Sequence, residues 1–458
     1  MNDLKILTKR TWMLLLLSLV IVLGLVIFAG NYMKNASTWV QHPTNKHLYS
    51  NGRLLAAGTI YDRKGEVLFE KVDDSLKYHE DKTIRKATMH VIGDSNGNVV
   101  SSVQVAFGEK LSGWNLISGA YRFNKSDGVR KKIKLTLDAD LCAAAYKALN
   151  GRNGTVGVYN YKTGEILCMV STPTFDPQNK PDVEANPIKY EGVYINRLLS
   201  ATYTPGSVFK LVTAGAAIDN LEDLDSKVYN CKGEVTINGD TVTCLSKHGE
   251  ITFEKALAES CNVAFAEISL ELGRNRLQKY AEKIGFNSSV DVDNINTAIG
   301  KIKLSDAEDV ELAWAGIGQY TDTANPLNFM TYVGSIANEG VRVSPKILKK
   351  NDLISLLLDY TSIGKRIISA KTANELKSMM RYNVTEVYKE KNYQGLELCA
   401  KTGTAEVGSD KKPHAWFVGF MDRDDFPLAF VVVVENGGRG IQTAAPIAKT
   451  VLEYAVSN

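Results

Sequence analysis

The chain has almost no net charge: 54 lysines and arginines stand against 51 aspartates and glutamates, +3 over 458 residues. No basic tract stands out, which excludes nucleic acid as a partner, because phosphate backbones are held by clustered cations. Zinc-finger spacing, the glycine fingerprint of dinucleotide sites, the P-loop and internal repeats are all missing. Finger-type DNA reading, dinucleotide-dependent redox chemistry, P-loop nucleotide hydrolysis and solenoid architectures therefore drop out. What remains is a chain too long for one ordinary core, with room for two folded domains.

One long apolar run is present. Trp12 to Gly30 spans about 19 residues, enough to cross a ~30 Å hydrocarbon layer as a helix. Lys5, Lys9 and Arg10 precede it, and the positive-inside rule then places the bulk of the chain outside the cytoplasm. A cleaved signal peptide is the competing reading. Its apolar region should be shorter and end in small residues, and Phe28-Ala29-Gly30 matches a cleavage site poorly.

The chemistry lies in three motifs in a fixed order: Ser207-Val208-Phe209-Lys210, Ser260-Cys261-Asn262 and Lys401-Thr402-Gly403-Thr404. The first pattern recurs at Ser362–Lys365 and Ser409–Lys412, and Lys-Thr-Gly recurs at Lys162–Gly164, so context must separate the site from its decoys. Ser207 follows the turn-like Tyr203-Thr204-Pro205-Gly206 and opens an apolar run that reads as a buried helix through Ile218. Lys210 then lies one turn on, facing the same way. Lys162 reads as a hairpin tip between Thr155–Tyr161 and Glu165–Ser171, whereas Lys401 lies in an apolar strand.

These residue types suit acyl transfer. A serine hydroxyl attacks only when a base takes its proton, and a lysine serves once burial and neighbouring cations leave it neutral. Lys210 is the candidate base. Ser260 can pass the proton to a leaving amine, and Asn262 can orient Lys210 and the substrate backbone. Lys401 supplies a positive field and can meet a substrate carboxylate, and Thr402, Gly403 and Thr404 form the substrate-binding and oxyanion segment beside it. The amides of Ser207 and Thr404 form the expected oxyanion hole.

With these motifs the chain resembles the class B penicillin-binding proteins, monofunctional peptidoglycan D,D-transpeptidases of the penicillin-binding protein 2 type. The resemblance covers nearly the whole chain. It includes Asn196-Arg197 leading to the nucleophile, Gly58–Gly65 as an N-terminal hairpin, and His414–Phe420 as the strand after Lys-Thr-Gly. Ala57 departs from it, since the family usually has arginine there. The resemblance implies an α/β (α+β) penicilloyl-serine transferase fold, like that of serine β-lactamases, with a central antiparallel sheet flanked by helices.

It also implies a division into a cytoplasmic tail and transmembrane anchor over 1–34, a pedestal or dimerisation-type domain over 35–131, and a transpeptidase domain over 132–458. A pedestal of that length leaves no room for a glycosyltransferase, so a separate one is an expected partner among cell-wall assembly membrane proteins. The implied ligands are peptidoglycan stem peptides and β-lactam antibiotics, and catalysis needs no cofactor. The implied location is the outer face of a bacterial cytoplasmic membrane. A D,D-carboxypeptidase or β-lactamase of the same fold, and a non-catalytic β-lactam sensor or scaffold, are the alternatives.

Local patterning adds expectations. Leu54–Ile60, Glu66–Glu70 and Lys86–Gly93 read as short strands, Ala139–Leu149 as a helix, and Leu428–Glu435 followed by Ala444–Tyr454 as the closing strand and helix. Trp416, Phe417, Phe420, Tyr203 and Phe209 read as packing, and His414 as structural or a substrate contact.

Cys142, Cys168, Cys261 and Cys399 are expected as reduced core residues, with the Cys261 side chain alternating away from Ser260 and Asn262. Cys231 and Cys244 flank Asn238-Gly239, a strong hairpin signal. Pairing Ile237 with Asp240 puts Cys231 opposite Ser246, with Cys244 and His248 diagonal to it on the same face. A structural zinc on Cys231, Cys244 and His248 with an unidentified fourth ligand, a cross-strand disulfide, and free thiols all stay open. Diagonal pairing counts against the disulfide.

Overall fold

The computed structural model describes residues 2–40, 49–50, 53–54, 58–72, 75–112, 132–349, 364–408 and 410–458; Ala57, Ser362 and Ser409 lie outside these. The chain divides into two compact units, Met1–Gly58 with Phe107–Lys131, and Thr59–Ala106 with Lys132–Asn458. The first carries helix α1 (Asn2–Val40) and a short antiparallel pairing of Tyr49 with Leu54. Within α1, Lys5–Tyr32 is 28 residues long and apolar enough to cross a membrane. Its large apolar side chains are exposed, as a span facing lipid requires.

The second unit begins with β1 (Thr59–Tyr61), β2 (Val67–Val72) and β3 (Ser75–Tyr78), joined by β4 (Lys132–Lys134) running parallel to β1. The turn between β1 and β2 is fixed by Asp62, whose carboxylate accepts the amides of Lys64, Gly65 and Glu66, each at 2.8 Å. The expected strand at Lys86–Gly93 is instead part of helix α2 (Lys82–Ile92). Alternating Ala87, Met89 and Val91 mimic a strand, yet Ile84, Ala87, Thr88 and Val91 are all buried at the spacing of one helical face. Asp81 caps the helix by accepting the Thr83 amide.

Next come α3 (Ala139–Leu149), capped by Asp138, and the hairpin of β5 (Gly154–Asn160) with β6 (Ile166–Thr172). Lys162 sits at the tip of this hairpin, where Asn160 Oδ1 accepts the Lys162 and Thr163 amides at 2.9 Å. A one-turn 3₁₀ segment (Gly206–Phe209) leads into α4 (Lys210–Asn220), buried from Lys210 to Ile218. Four short strands follow: β7 (Val228–Cys231), β8 (Glu234–Ile237), β9 (Asp240–Thr243) and β10 (Gly249–Thr252). Ile237 does pair with Asp240, but that ladder stops at Glu234 with Thr243. Cys231 then faces Gly249 of β10 rather than Ser246, because β7 leaves the hairpin to pair with β10.

After α5 (Asn262–Lys283) and α6 (Pro326–Ala337), the chain closes with β11 (Leu398–Ala405), β12 (His414–Met421), β13 (Leu428–Val434) and α7 (Gly440–Ser457). The central sheet is antiparallel throughout, in the order β11-β12-β13-β5-β6. Every residue of β13 is buried, so both faces of the sheet are covered. α7 and α3 pack on one another and on the sheet, and α6 packs on β12 and β13. Trp416, Phe417 and Phe420 are fully buried core residues, as expected.

Candidate active site

The three motifs converge where α4, α5 and β11 meet. Tyr203 is tied to Ala324 by backbone bonds of 3.0 and 2.8 Å, and the Gly206 amide donates to Gly318 O at 2.8 Å. Gly206 has φ +57°, and a Cβ on it would lie 2.6 Å from Thr404 O; a Cβ on Gly318, at φ +79°, would lie 2.1 Å from Gly206 O. Only glycine permits this approach, which presses the start of the first motif against β11. Ser207 is half-buried, and its side chain makes no hydrogen bond among the described residues. Trp416 Nε1 donates to Thr204 O at 3.0 Å and pins the turn to β12.

Lys210 lies wholly buried at the start of α4. Its ammonium meets Ser260 O at 2.6 Å, Ser260 Oγ at 3.2 Å and Asn262 Oδ1 at 2.7 Å, and stands 5.6 Å from the Phe265 ring centre. Lys401, also wholly buried, reaches Ser260 Oγ from the other side at 3.1 Å and Thr402 O at 3.0 Å. One hydroxyl therefore joins two lysines that have no carboxylate among these hydrogen-bond partners. Burial pushes Lys210 down to about 7, only partly offset by the nearby Cys244 and Cys261. Burial, and then the charge of Lys210, hold Lys401 well below the ordinary lysine range.

Ser260 adopts φ +55°, a left-handed conformation that turns its backbone just before α5. Asn262 is the first residue of α5, and its side-chain amide donates to Thr243 O at 2.8 Å while its carbonyl receives Lys210. On β11, Thr402 is fixed by a residue outside the motifs: its amide donates to the Tyr388 hydroxyl at 3.0 Å, and the two hydroxyls lie 3.1 Å apart. Thr404 Oγ1 accepts the Gly440 amide at 3.4 Å. Sequence reasoning missed Tyr388, which sits in the π-helical turn Asn383–Lys389 with no local mark of its role.

Beside the first motif, Glu435 accepts from Arg197 Nε at 2.8 Å and the Tyr203 hydroxyl at 2.7 Å. Burial works to raise Glu435, but these two donors outweigh it and hold it below the usual carboxylate range. Tyr203 thus has a polar partner as well as its packing against Trp416 and His414. His414 accepts the Asn436 amide on Nδ1 at 3.0 Å, and burial lowers its basicity.

A second cluster adjoins the Ser260-Cys261-Asn262 motif. The ligand atoms of Cys231, Cys244, His248 and Cys261 all lie within 4.8 Å of one another. His248 Nδ1 is 3.4 Å from Cys231 Sγ and 3.6 Å from Cys244 Sγ. Cys231, Cys244 and His248 converge as expected even though their strand pairing differs. Cys261 is buried as expected, but its sulfur joins this cluster. As the N-cap of α5 it accepts the Ala264 amide at 3.4 Å, a placement that strand-like alternation could not reveal.

The family profile of the penicillin-binding protein transpeptidase domain matches residues 154–453. A peptidoglycan D,D-transpeptidase, PbpA of Mycolicibacterium smegmatis, is 28% identical over 367 residues, covering 71% of this chain and 72% of that protein. The D,D-transpeptidase domain of a peptidoglycan glycosyltransferase from Eggerthella lenta superposes with a TM-score of 0.73 at 26% identity, over 88% of this chain and 98% of that one. PBPA from Mycobacterium tuberculosis gives the same TM-score, 0.73, at 25% identity, over 88% and 99% of the two chains.

Proposed function

Because the chain belongs to the penicillin-binding protein transpeptidase family, we infer that it crosslinks peptidoglycan stem peptides as a serine-type D,D-transpeptidase, with Ser207 as nucleophile. Ser207 Oγ attacks the penultimate D-Ala carbonyl as its proton passes to Lys210. The tetrahedral oxyanion lies between the Ser207 and Thr404 amides. Collapse expels the terminal D-Ala, whose nitrogen takes a proton through Ser260, and an amine of a second stem then attacks the acyl-enzyme by the reverse route. Lys401, Thr402 and Thr404, backed by Tyr388, receive the terminal carboxylate. β-Lactams mimic the stem terminus and acylate the same serine.

One observation carries this reading: Ser260 Oγ bridges Lys210 at 3.2 Å and Lys401 at 3.1 Å. A hydroxyl so placed can pass a proton while one lysine stays neutral and the other charged. The test is covalent labelling with a fluorescent penicillin, comparing the parent chain with Ser207→Ala. A stable label that disappears in Ser207→Ala is expected. Label lost within minutes by hydrolysis would make the chain a β-lactamase, and an unlabelled parent chain would leave a scaffold.

The chain is a single-pass protein of the cytoplasmic membrane, and we propose that α1 leaves the cleft on the outer face, with Lys5, Lys9 and Arg10 inside. We propose residues 1–34 as tail and anchor, 35–131 as pedestal and 132–458 as the transpeptidase domain, with a separate glycosyltransferase supplying glycan strands. The acyl transfer itself needs no cofactor. Cys231, Cys244 and His248 are nonetheless proposed to hold a structural zinc. Zinc bonds of about 2.3 Å to sulfur and 2.0–2.1 Å to nitrogen at tetrahedral angles put sulfur and nitrogen about 3.6 Å apart, and the spacings here are 3.4 and 3.6 Å.

A further inference from the structure

The sulfur cluster and the second motif share backbone. Cys244 Sγ accepts the Asn262 amide at 3.3 Å. Cys261 stands between Ser260 and Asn262, and its sulfur accepts the Ala264 amide and lies within 4.8 Å of Cys244 Sγ. Asn262 is thus gripped at its amide by Cys244, at its side-chain nitrogen by Thr243 O, and at its carbonyl by Lys210. Ser260, one residue ahead, is held at φ +55° between the two lysines. Any change in the spacing of Cys244 and Cys261 must move one side of that grip.

We infer that Cys231, Cys244, His248 and Cys261 form a metal-guarded thiol switch on the acylation site, with Cys261 as the fourth ligand. The inference rests on the zinc and transpeptidase readings above. With zinc bound, the four ligands would hold residues 260–262 where Asn262 meets Lys210. Zinc also occupies the lone pairs with which the thiolates would attack a disulfide. Without zinc, the thiols lie within 4.8 Å of one another and are open to exchange.

The oxidant is a disulfide of the glutathione or thiol-oxidoreductase class. The Cys244 thiolate, the half-buried member of the pair, attacks it, forming a mixed disulfide and releasing one thiol. The Cys261 thiolate then attacks the Cys244 sulfur and releases the second. Two cysteine thiols give one disulfide, and two electrons and two protons end on the two thiols of the spent oxidant. The new bond draws the sulfurs to about 2.05 Å and takes the Cys244 sulfur from the position where it accepts the Asn262 amide. Asn262 then leaves Lys210, and a displacement of this size lowers acylation at least about tenfold.

The test uses the full chain in detergent, with zinc measured by elemental analysis and acylation measured by the fluorescent penicillin. Three states are compared: zinc-loaded, stripped by chelator under reduction, and stripped then treated with oxidised glutathione. The expected result is one zinc per chain, a zinc-loaded form indifferent to oxidised glutathione, and a stripped form that loses acylation as a Cys244–Cys261 linked peptide appears in mass spectra. Dithiothreitol should restore the rate, and Cys261→Ala should give no such linked peptide under the oxidant. A chain without stoichiometric zinc refutes the metal reading and its guard. A linked peptide with unchanged acylation, or no linked peptide in the stripped chain, overturns the switch even where zinc is present. Failure of the zinc-loaded form to label refutes the transpeptidase reading instead.

Discussion

Acylation should turn on with pH through the neutral range, because the proposed base is a buried lysine. Lys210 falls from the ordinary 10.5 to about 7, so about half the chains hold it neutral at pH 7, against roughly one in 3,000 for an exposed lysine. From pH 5 to pH 7 the neutral fraction grows about fiftyfold, and the second-order rate constant for the fluorescent penicillin should grow with it before levelling off above about pH 8. The stability of the fold moves in the same direction. Below about pH 7 the folded and unfolded chains both carry the proton, and the full cost of burying the cation applies. Between about 7 and 10.5 only the unfolded lysine keeps its proton, so stability rises with pH across that window. At about 1.4 kcal/mol per pH unit the gap amounts to roughly 5 kcal/mol as an upper bound. Lys210→Met should therefore abolish labelling yet raise the urea midpoint at pH 6. A flat acylation profile between pH 5 and 8, a rising limb centred near 10, or a destabilised Lys210→Met chain would each refute the reasoning.

Gly206→Ala should lose about 2–3 kcal/mol in urea unfolding and most of its labelling, since the new methyl meets Thr404 O at 2.6 Å on a φ of +57°. Glu435→Gln strips the carboxylate from Arg197, only 5% exposed, and should cost about 3 kcal/mol in the same measurement. Tyr388→Phe removes the acceptor of the Thr402 amide and should weaken donor-substrate binding by about 1–2 kcal/mol, seen as a raised KM in a stem-peptide assay with the fold intact by thermal melting.

Much of this architecture is legible locally. Ala139–Leu149 is delimited by Asp138 before it and by Asn150, at φ +46°, after it, so both boundaries are written in adjacent residues. The Asn238-Gly239 turn fixes Ile237 opposite Asp240 for the same reason. Legibility fails where a longer-range choice decides. Lys86–Gly93 carries β-branched and alternating residues, and its helix is chosen by Asp81 and by the face that Ile84, Ala87, Thr88 and Val91 bury. Cys231 faces Gly249 because β10 competes for β7, which no turn signal announces. Within the site, the three motifs could be read from spacing and order, whereas Tyr388 and the Cys261 sulfur enter through tertiary placement.

The strand order has a consequence for timing. β13 seats against β5, and β11 hangs from β12, so the sheet around the cleft joins pieces from both ends of the unit. Such long-range pairings close late, after the intervening chain has been made. During synthesis Ser207 and Lys210 emerge well before Lys401–Thr404, and a nascent chain halted before Leu398 carries the proposed nucleophile without the strand proposed to complete the oxyanion hole. Reactivity toward wall precursors and antibiotics alike arrives only with the final strands, long after the N-terminal span has been synthesised.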